Sequence, residues 1–156
     1  MSRIVEDRAV VAGPPDAVWA ILQDPAALAR ILPGMDDLVM DGPDRFHGVI
    51  VARVQFLKIR IDIDGALVDP EPPDGIRLAM TGRPRGLGGS FILSVPMTFT
   101  ATDPAATRVD YAVDLEAGGQ LAAMGERMIR DAMRDLIAEL IANVDRELGA
   151  RPAGPA

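Results

Sequence analysis

The sequence predicts an α+β fold in which a curved antiparallel sheet of about six or seven strands wraps around a long C-terminal helix, with two short helices after the first strand. Three observations carry that expectation. Apolar residues recur at three- and four-residue steps through residues 121–148. Apolar and polar residues alternate strictly in four segments between residues 57 and 117. Proline–acid signals at Pro14-Pro15-Asp16 and Asp24-Pro25 open two short helices directly behind a Val/Ile-rich run.

Residues 3–12 read as a first strand whose irregular charge pattern suits a sheet edge. Val18, Trp19, Ile21 and Leu22 give the first short helix an apolar face, and the second, over residues 25–32, stops at Pro33-Gly34. From Asp37 the period changes from 3.6 to 2. Leu57, Ile59, Ile61 and Ile63 alternate with charged residues, and Ile76, Leu78 and Met80 share a face. Phe91, Leu93, Val95, Met97 and Phe99 alternate with mostly polar residues, as do Val109, Tyr111, Val113 and Leu115. Turn residues separate these runs, at 41–44, 69–75, 83–89 and 103–104. The last helix carries Leu121, Met124, Met128, Ile129, Ala132, Met133, Leu136, Ile137, Leu140, Ile141, Val144 and Leu148 on one stripe, opposite Arg127, Arg130, Asp131 and Arg134. At about 1.5 Å per residue it would run about 42 Å, with Gly149 at its end. One domain over residues 1–149 and a structureless Gly/Pro/Ala tail over 150–156 are expected. A sheet curled around such a helix is the helix-grip arrangement, which leaves room for a cavity between the two.

Composition excludes several functions. A net charge of −7 opposes nucleic acid and general attraction to anionic surfaces. With no cysteine and one histidine, thiolate chemistry and Cys- or His-cluster metal sites are absent. The N-terminal residues hold no apolar run of signal-peptide length, so the expected location is cytoplasmic, with peripheral contact at the inner face of the membrane as an extension of that reading.

The inward-facing set on the clear strands contains aliphatics, Met, Phe and one Tyr, without a carboxylate, His or Lys. General acid–base or nucleophilic catalysis has no visible constellation, and the expectation is a protein without catalytic residues. His47 is expected at the surface of a hairpin. Asp36-Asp37 is expected in a turn, and Asp62 and Asp64 on a wet strand face, so no metal site follows. The positive signal is a greasy, methionine-rich interior suited to an irregular apolar ligand. The candidate ligand-contacting residues are Trp19, Ile61, Met80, Phe91, Leu93, Met97, Tyr111, Leu121, Met124, Met128, Ile129 and Met133. A filled, purely structural core is the alternative.

Two loops are candidates for partner or membrane contact. Gln55-Phe56-Leu57 lacks any tight-turn residue and sits among Arg53, Lys58 and Arg60, so either Phe56 packs inward or Phe56 and Leu57 form an apolar tip with a basic collar. Arg83 and Arg85 form a second basic loop beside Gly86-Leu87-Gly88-Gly89.

Pro14-Pro15-Asp16-Ala17-Val18-Trp19, Asp24-Pro25 with Leu28, and Leu32-Pro33-Gly34 resemble the opening of START-like (SRPBCC, Bet v 1-like) domains. Gly86-Leu87-Gly88-Gly89-Ser90, Thr107-Arg108-Val109-Asp110-Tyr111, and Gly118-Gly119-Gln120-Leu121-Ala122-Ala123-Met124-Gly125 through Met128-Ile129 resemble the carbon monoxide dehydrogenase CoxG family. That resemblance implies an accessory role beside a CO dehydrogenase-like molybdenum hydroxylase or its maturation machinery. START-like relatives that handle respiratory quinones suggest a quinone or lipid as the bound apolar molecule, with no resident cofactor otherwise. An assembly or docking factor with a filled core, and a START-like cyclase or hydrolase, are the alternatives. The chain departs from the family pattern at Met35, where Cys is frequent, and at Gln55-Phe56, where a Gly-Pro turn is frequent.

Overall fold

In the computed structural model, which describes residues 1–54 and 56–150, the alternating segments pair into one seven-stranded sheet. The elements run β1 (Ser2–Val11), α1 (Pro15–Leu22), α2 (Pro25–Ile31), β2 (Met35–Met40), β3 (Arg45–Val54), β4 (Leu57–Glu71), β5 (Gly75–Pro84), β6 (Phe91–Asp103), β7 (Ala106–Ala117), α3 (Gly119–Ala123) and α4 (Glu126–Ala150). Strand order is β1-β7-β6-β5-β4-β3-β2, and every pairing is antiparallel. The first strand therefore closes one edge, as its charge pattern predicted. Its irregularity has a structural cause. The register slips between Arg3 and Val5, so that the neighbours Ile4 and Val5 are both buried where strict alternation would bury one.

The short helices start where the proline–acid signals place them. Pro15 occupies the first turn of α1 with Asp16 near its positive end, and the Asp24 carboxylate accepts from the Ala26 N–H at 3.1 Å to cap α2. Val18 and Ile21 of α1, and Ala27, Leu28 and Ile31 of α2, are buried. They join Val11, Leu67, Ile76 and Phe99 in one core cluster, while a second holds Ile4, Val5, Leu32, Phe46, Ile63, Met80, Leu93, Val113 and Leu115.

The C-terminal stripe is not one helix. It divides at Met124-Gly125 into α3 and α4, and Gly125 takes φ +92°, a conformation that non-glycine residues rarely adopt. Periodicity runs across this break because Leu121 and Met124 happen to keep the three-residue spacing that the following helix uses. The far end also differs: Gly149 does not stop α4, which continues to Ala150. The tail expected from residue 150 lies, from 151 on, outside the described residues. No described helix is long and apolar enough to cross a membrane.

Candidate ligand cavity

The long helix crosses the concave face of the sheet without settling into it. Its main backbone approaches are to β1 at one edge, to β3 near the other, and to α1 and α2. Its polar tethers lie on the same periphery. Arg130 Nε donates to the Ile4 carbonyl at 2.9 Å, and Asn143 Nδ2 to the Ile31 carbonyl at 3.0 Å. The Ala12 N–H donates to Asp145 Oδ1 at 2.8 Å, and the Arg30 guanidinium grips the Glu147 carboxylate at 2.6 and 2.9 Å. Among the described residues of α4 none is fully buried, although its apolar stripe faces inward. A helix packed directly on a sheet would bury that stripe. Here the stripe packs on the core only in part and encloses a void between helix and sheet.

The void is a cavity of about 250 Å³. Its floor is laid by the alternating residues of the central strands, including Ile61 and Ile63 of β4, Leu78 and Met80 of β5, Phe91 to Phe99 of β6, and Tyr111 of β7. Its roof is Ile129, Ala132, Met133, Leu136, Ile137, Leu140, Ile141 and Val144 of α4, and α3 adds Leu121 and Met124 at one end. Among the described residues, the only polar side chain in the lining is the Tyr111 phenol, which burial and then the nearby Asp7 carboxylate hold above its ordinary pKa. Water has almost no partner inside such walls.

Ten of the twelve residues singled out from the sequence line this space: Ile61, Met80, Phe91, Leu93, Met97, Tyr111, Leu121, Met124, Ile129 and Met133. Trp19 and Met128 do not. On α1 the inward positions are Val18, Ile21 and Leu22, and Trp19 lies on their flank, packed against the cluster around Val11 and Phe99. Met128 drops out because it stands about 100° round α4 from Ile129, beyond the edge of the stripe in which residues 129, 132, 133, 136 and 137 face inward. Phe46, Leu28 and Ile31, which were not among the residues predicted from the sequence, complete the wall from β3 and from α2. Their signal was a buried face that only the register reveals.

At one end of the cavity, glycines join the β5–β6 loop to α3, whose Leu121 and Met124 line the space. The β5–β6 loop is stitched to α3 through Gly88 N–H to Gln120 Oε1, Leu121 N–H to the Gly88 carbonyl at 3.2 Å, and Gly118 N–H to the Ser90 carbonyl at 3.0 Å. Gly89 and Gly119 touch backbone to backbone, so that a Cβ on Gly119 would stand 2.7 Å from the Gly89 Cα. This is what the glycine-rich motifs at 86–89 and 118–119 do: they let a loop and a short helix meet at the cavity end.

Outside the cavity, His47 is exposed on β3 and its Nδ1 lies 2.8 Å from both carboxylate oxygens of Asp41. Asp36 pairs with Arg60 at 2.9 Å and Asp62 with Arg85 at 2.7 Å. Among the described residues no three His, Asp or Glu side chains gather as a metal site would require. Phe56 points into solvent, fully exposed, and Leu57 beside it is more than half exposed. The inward packing open to Phe56 on sequence grounds does not occur, because the hairpin reverses before the residue can reach the sheet. Arg85 is held by Asp62, whereas Arg53, Lys58 and Arg83 form no ion pair among the described residues.

A curved antiparallel sheet strapped by a C-terminal helix over an apolar cavity defines the START-like helix-grip class. The chain belongs to the carbon monoxide dehydrogenase CoxG family, whose profile matches residues 8–149. Among solved structures, a conserved protein from Geobacillus kaustophilus is similar at TM-score 0.83 and 23% identity, covering 91% of this chain and 92% of that one. A START superfamily protein from Mycobacterium smegmatis aligns with TM-score 0.71 at 11% identity, over 95% and 98% of the two chains. The Zhui aromatase/cyclase from a Streptomyces species aligns with TM-score 0.65 at 18% identity, over 97% and 98%. No curated protein matches the sequence.

Proposed function

We propose that this protein is a non-catalytic carrier of an apolar small molecule, a quinone or lipid, serving a CO dehydrogenase-like molybdenum hydroxylase. The observation that carries the proposal is the roof of the cavity: an apolar helical stripe with no fully buried residue, held off the sheet by peripheral tethers. An apolar occupant supplies the contacts that the stripe lacks. The described lining holds one ionisable group, the Tyr111 phenol, and this favours binding over acid–base catalysis. The family supports the hydroxylase as the enzyme served. A cavity of about 250 Å³ suits a ring or a segment of a chain rather than a whole long isoprenoid, so a long tail would leave through one end.

The test is mass spectrometry of an organic extract from protein purified without detergent, before and after incubation with membranes. A stoichiometric quinone or lipid is expected. An empty extract in both cases would sink the carrier reading and leave the docking role.

A further inference from the structure

The end of the sheet where β3 turns into β4 carries an arrangement that the cavity does not explain. Phe56 and Leu57 stand side by side at the hairpin tip, exposed at 102% and 58%. Directly behind them Arg53 and Lys58 face each other as cross-strand partners. Like charges placed opposite across a ladder repel and weaken the hairpin. Neither has an ion pair among the described residues, and Lys58 is the only lysine of the chain. One strand further, Arg83 also lacks one, because the Asp62 carboxylate opposite it is taken by Arg85. Five cations thus gather at this corner; Asp36 and Asp62 are engaged, and Asp64 lies diagonally beyond Arg83. Asp114 and Glu116 lie on β7, three strands from Lys58 and two from Arg83, about 14 and 10 Å away at the usual strand spacing and beyond the roughly 8 Å over which exposed charges act at physiological salt.

We propose that this corner docks on an anionic lipid surface, Phe56 and Leu57 entering the headgroup boundary and Arg53, Lys58 and Arg83 resting on lipid phosphates. A protruding aromatic–aliphatic pair collared by unpaired cations matches an interface that is greasy in depth and negative at its surface. The acidic remainder of the molecule confines contact to this end. Val54, the partner of Leu57, lines the cavity, so docking brings the cavity wall to the bilayer. The docking stands on the tip alone; only its use for cargo exchange rests on the carrier reading.

Co-sedimentation with phosphatidylglycerol vesicles, against phosphatidylcholine vesicles at low ionic strength, tests it. Binding to the anionic vesicles alone is expected, weakening with salt. Phe56→Ser should weaken it about tenfold, the equivalent of losing one buried aromatic contact. Arg53→Gln with Lys58→Gln should weaken it on the order of twentyfold, from about fivefold per cation. Val10→Ser, which removes an exposed apolar residue on β1, should leave binding unchanged, and all variants should melt with the parent. Equal binding by the parent and Phe56→Ser overturns the proposal, as does a parent that ignores anionic vesicles. Retention on polyglutamate beads instead, lost with Arg53 and Lys58, would assign the corner to an acidic protein surface. None of these outcomes depends on whether cargo is found in the extract.

Discussion

Phe91 lies flat across Gly82, its cross-strand partner, so closely that a methyl group at position 82 would overlap the ring. The same device recurs one strand pair away. Phe46 covers Gly65, where a Cβ would stand 2.5 Å from Cζ. In both pairs the missing side chain gives the ring its seat, and both phenyls line the cavity floor. Gly82→Ala should force Phe91 toward α4 and cost about 1–3 kcal/mol, the range for overpacking. Denaturant titration of Gly82→Ala, Phe91→Leu and the double variant would show the coupling. Additive effects would mean that the ring does not depend on the glycine.

The hinge between α3 and α4 makes a separate prediction. A methyl at Gly125 meets no atom within 4 Å, yet the backbone there has φ +92°. Gly125→Ala should therefore cost about 1–2 kcal/mol through conformation alone. If α3 and α4 can merge into one helix, helical circular dichroism will rise and the cost will vanish.

Ala132 lines the roof of the cavity. Ala132→Phe should raise stability by about 1–2 kcal/mol, as cavity filling commonly does, while lowering the cargo recovered by extraction. Apolar ligand at a hundred times its Kd should stabilise the parent by about 2.7 kcal/mol and this variant far less. A variant that keeps its full cargo would locate the ligand elsewhere.

Tyr111 is the only tyrosine, so its ultraviolet titration is unambiguous. Burial first, and Asp7 second, hold its pKa above 10.0. A raised folded-state pKa means that ionisation opposes folding. Stability is untouched below pH 10.0 and falls as pH rises beyond it. Cargo should push the midpoint higher still, and an unmoved midpoint would place the cargo away from the phenol.

His47 offers a proton switch remote from the cavity. Its hydrogen bond to Asp41, and then the charges of Asp41, Asp64 and Asp37, raise its pKa above 6.5. Protonation favours the folded state, so its contribution is complete below pH 6.5 and fades as pH rises through the folded midpoint. Proton NMR should give that midpoint above 6.5, and Asp41→Asn should bring it down.

Wet and dry faces repeat with period two, so the strands β4 to β7 and their inward residues could be read without coordinates, as could ten of the cavity residues. What escaped was whatever depends on two distant segments meeting. Gly125 is the one local signal that the helix breaks there, and the apolar spacing that persists through the turn hides it. Gly65 and Gly82 read as weak points in their strands until the register puts a phenyl over each. Phe56 could not be oriented from alternation, since a hairpin tip has no opposite face. The side face of α1 on which Trp19 lies could be separated from the inward face only once the partner cluster was known.

The buried side chains of the core gather in two clusters. The cluster around Phe46 and Met80 and that around Ile21 and Phe99 share Leu38 and Leu78 as bridging side chains, while α4 lends Ile129, Met133 and Ile137 to the first and Leu140, Ile141 and Val144 to the second. The cavity wall draws on both. An occupant would touch both clusters at once, so that loading should raise the melting temperature of the whole domain rather than of one half.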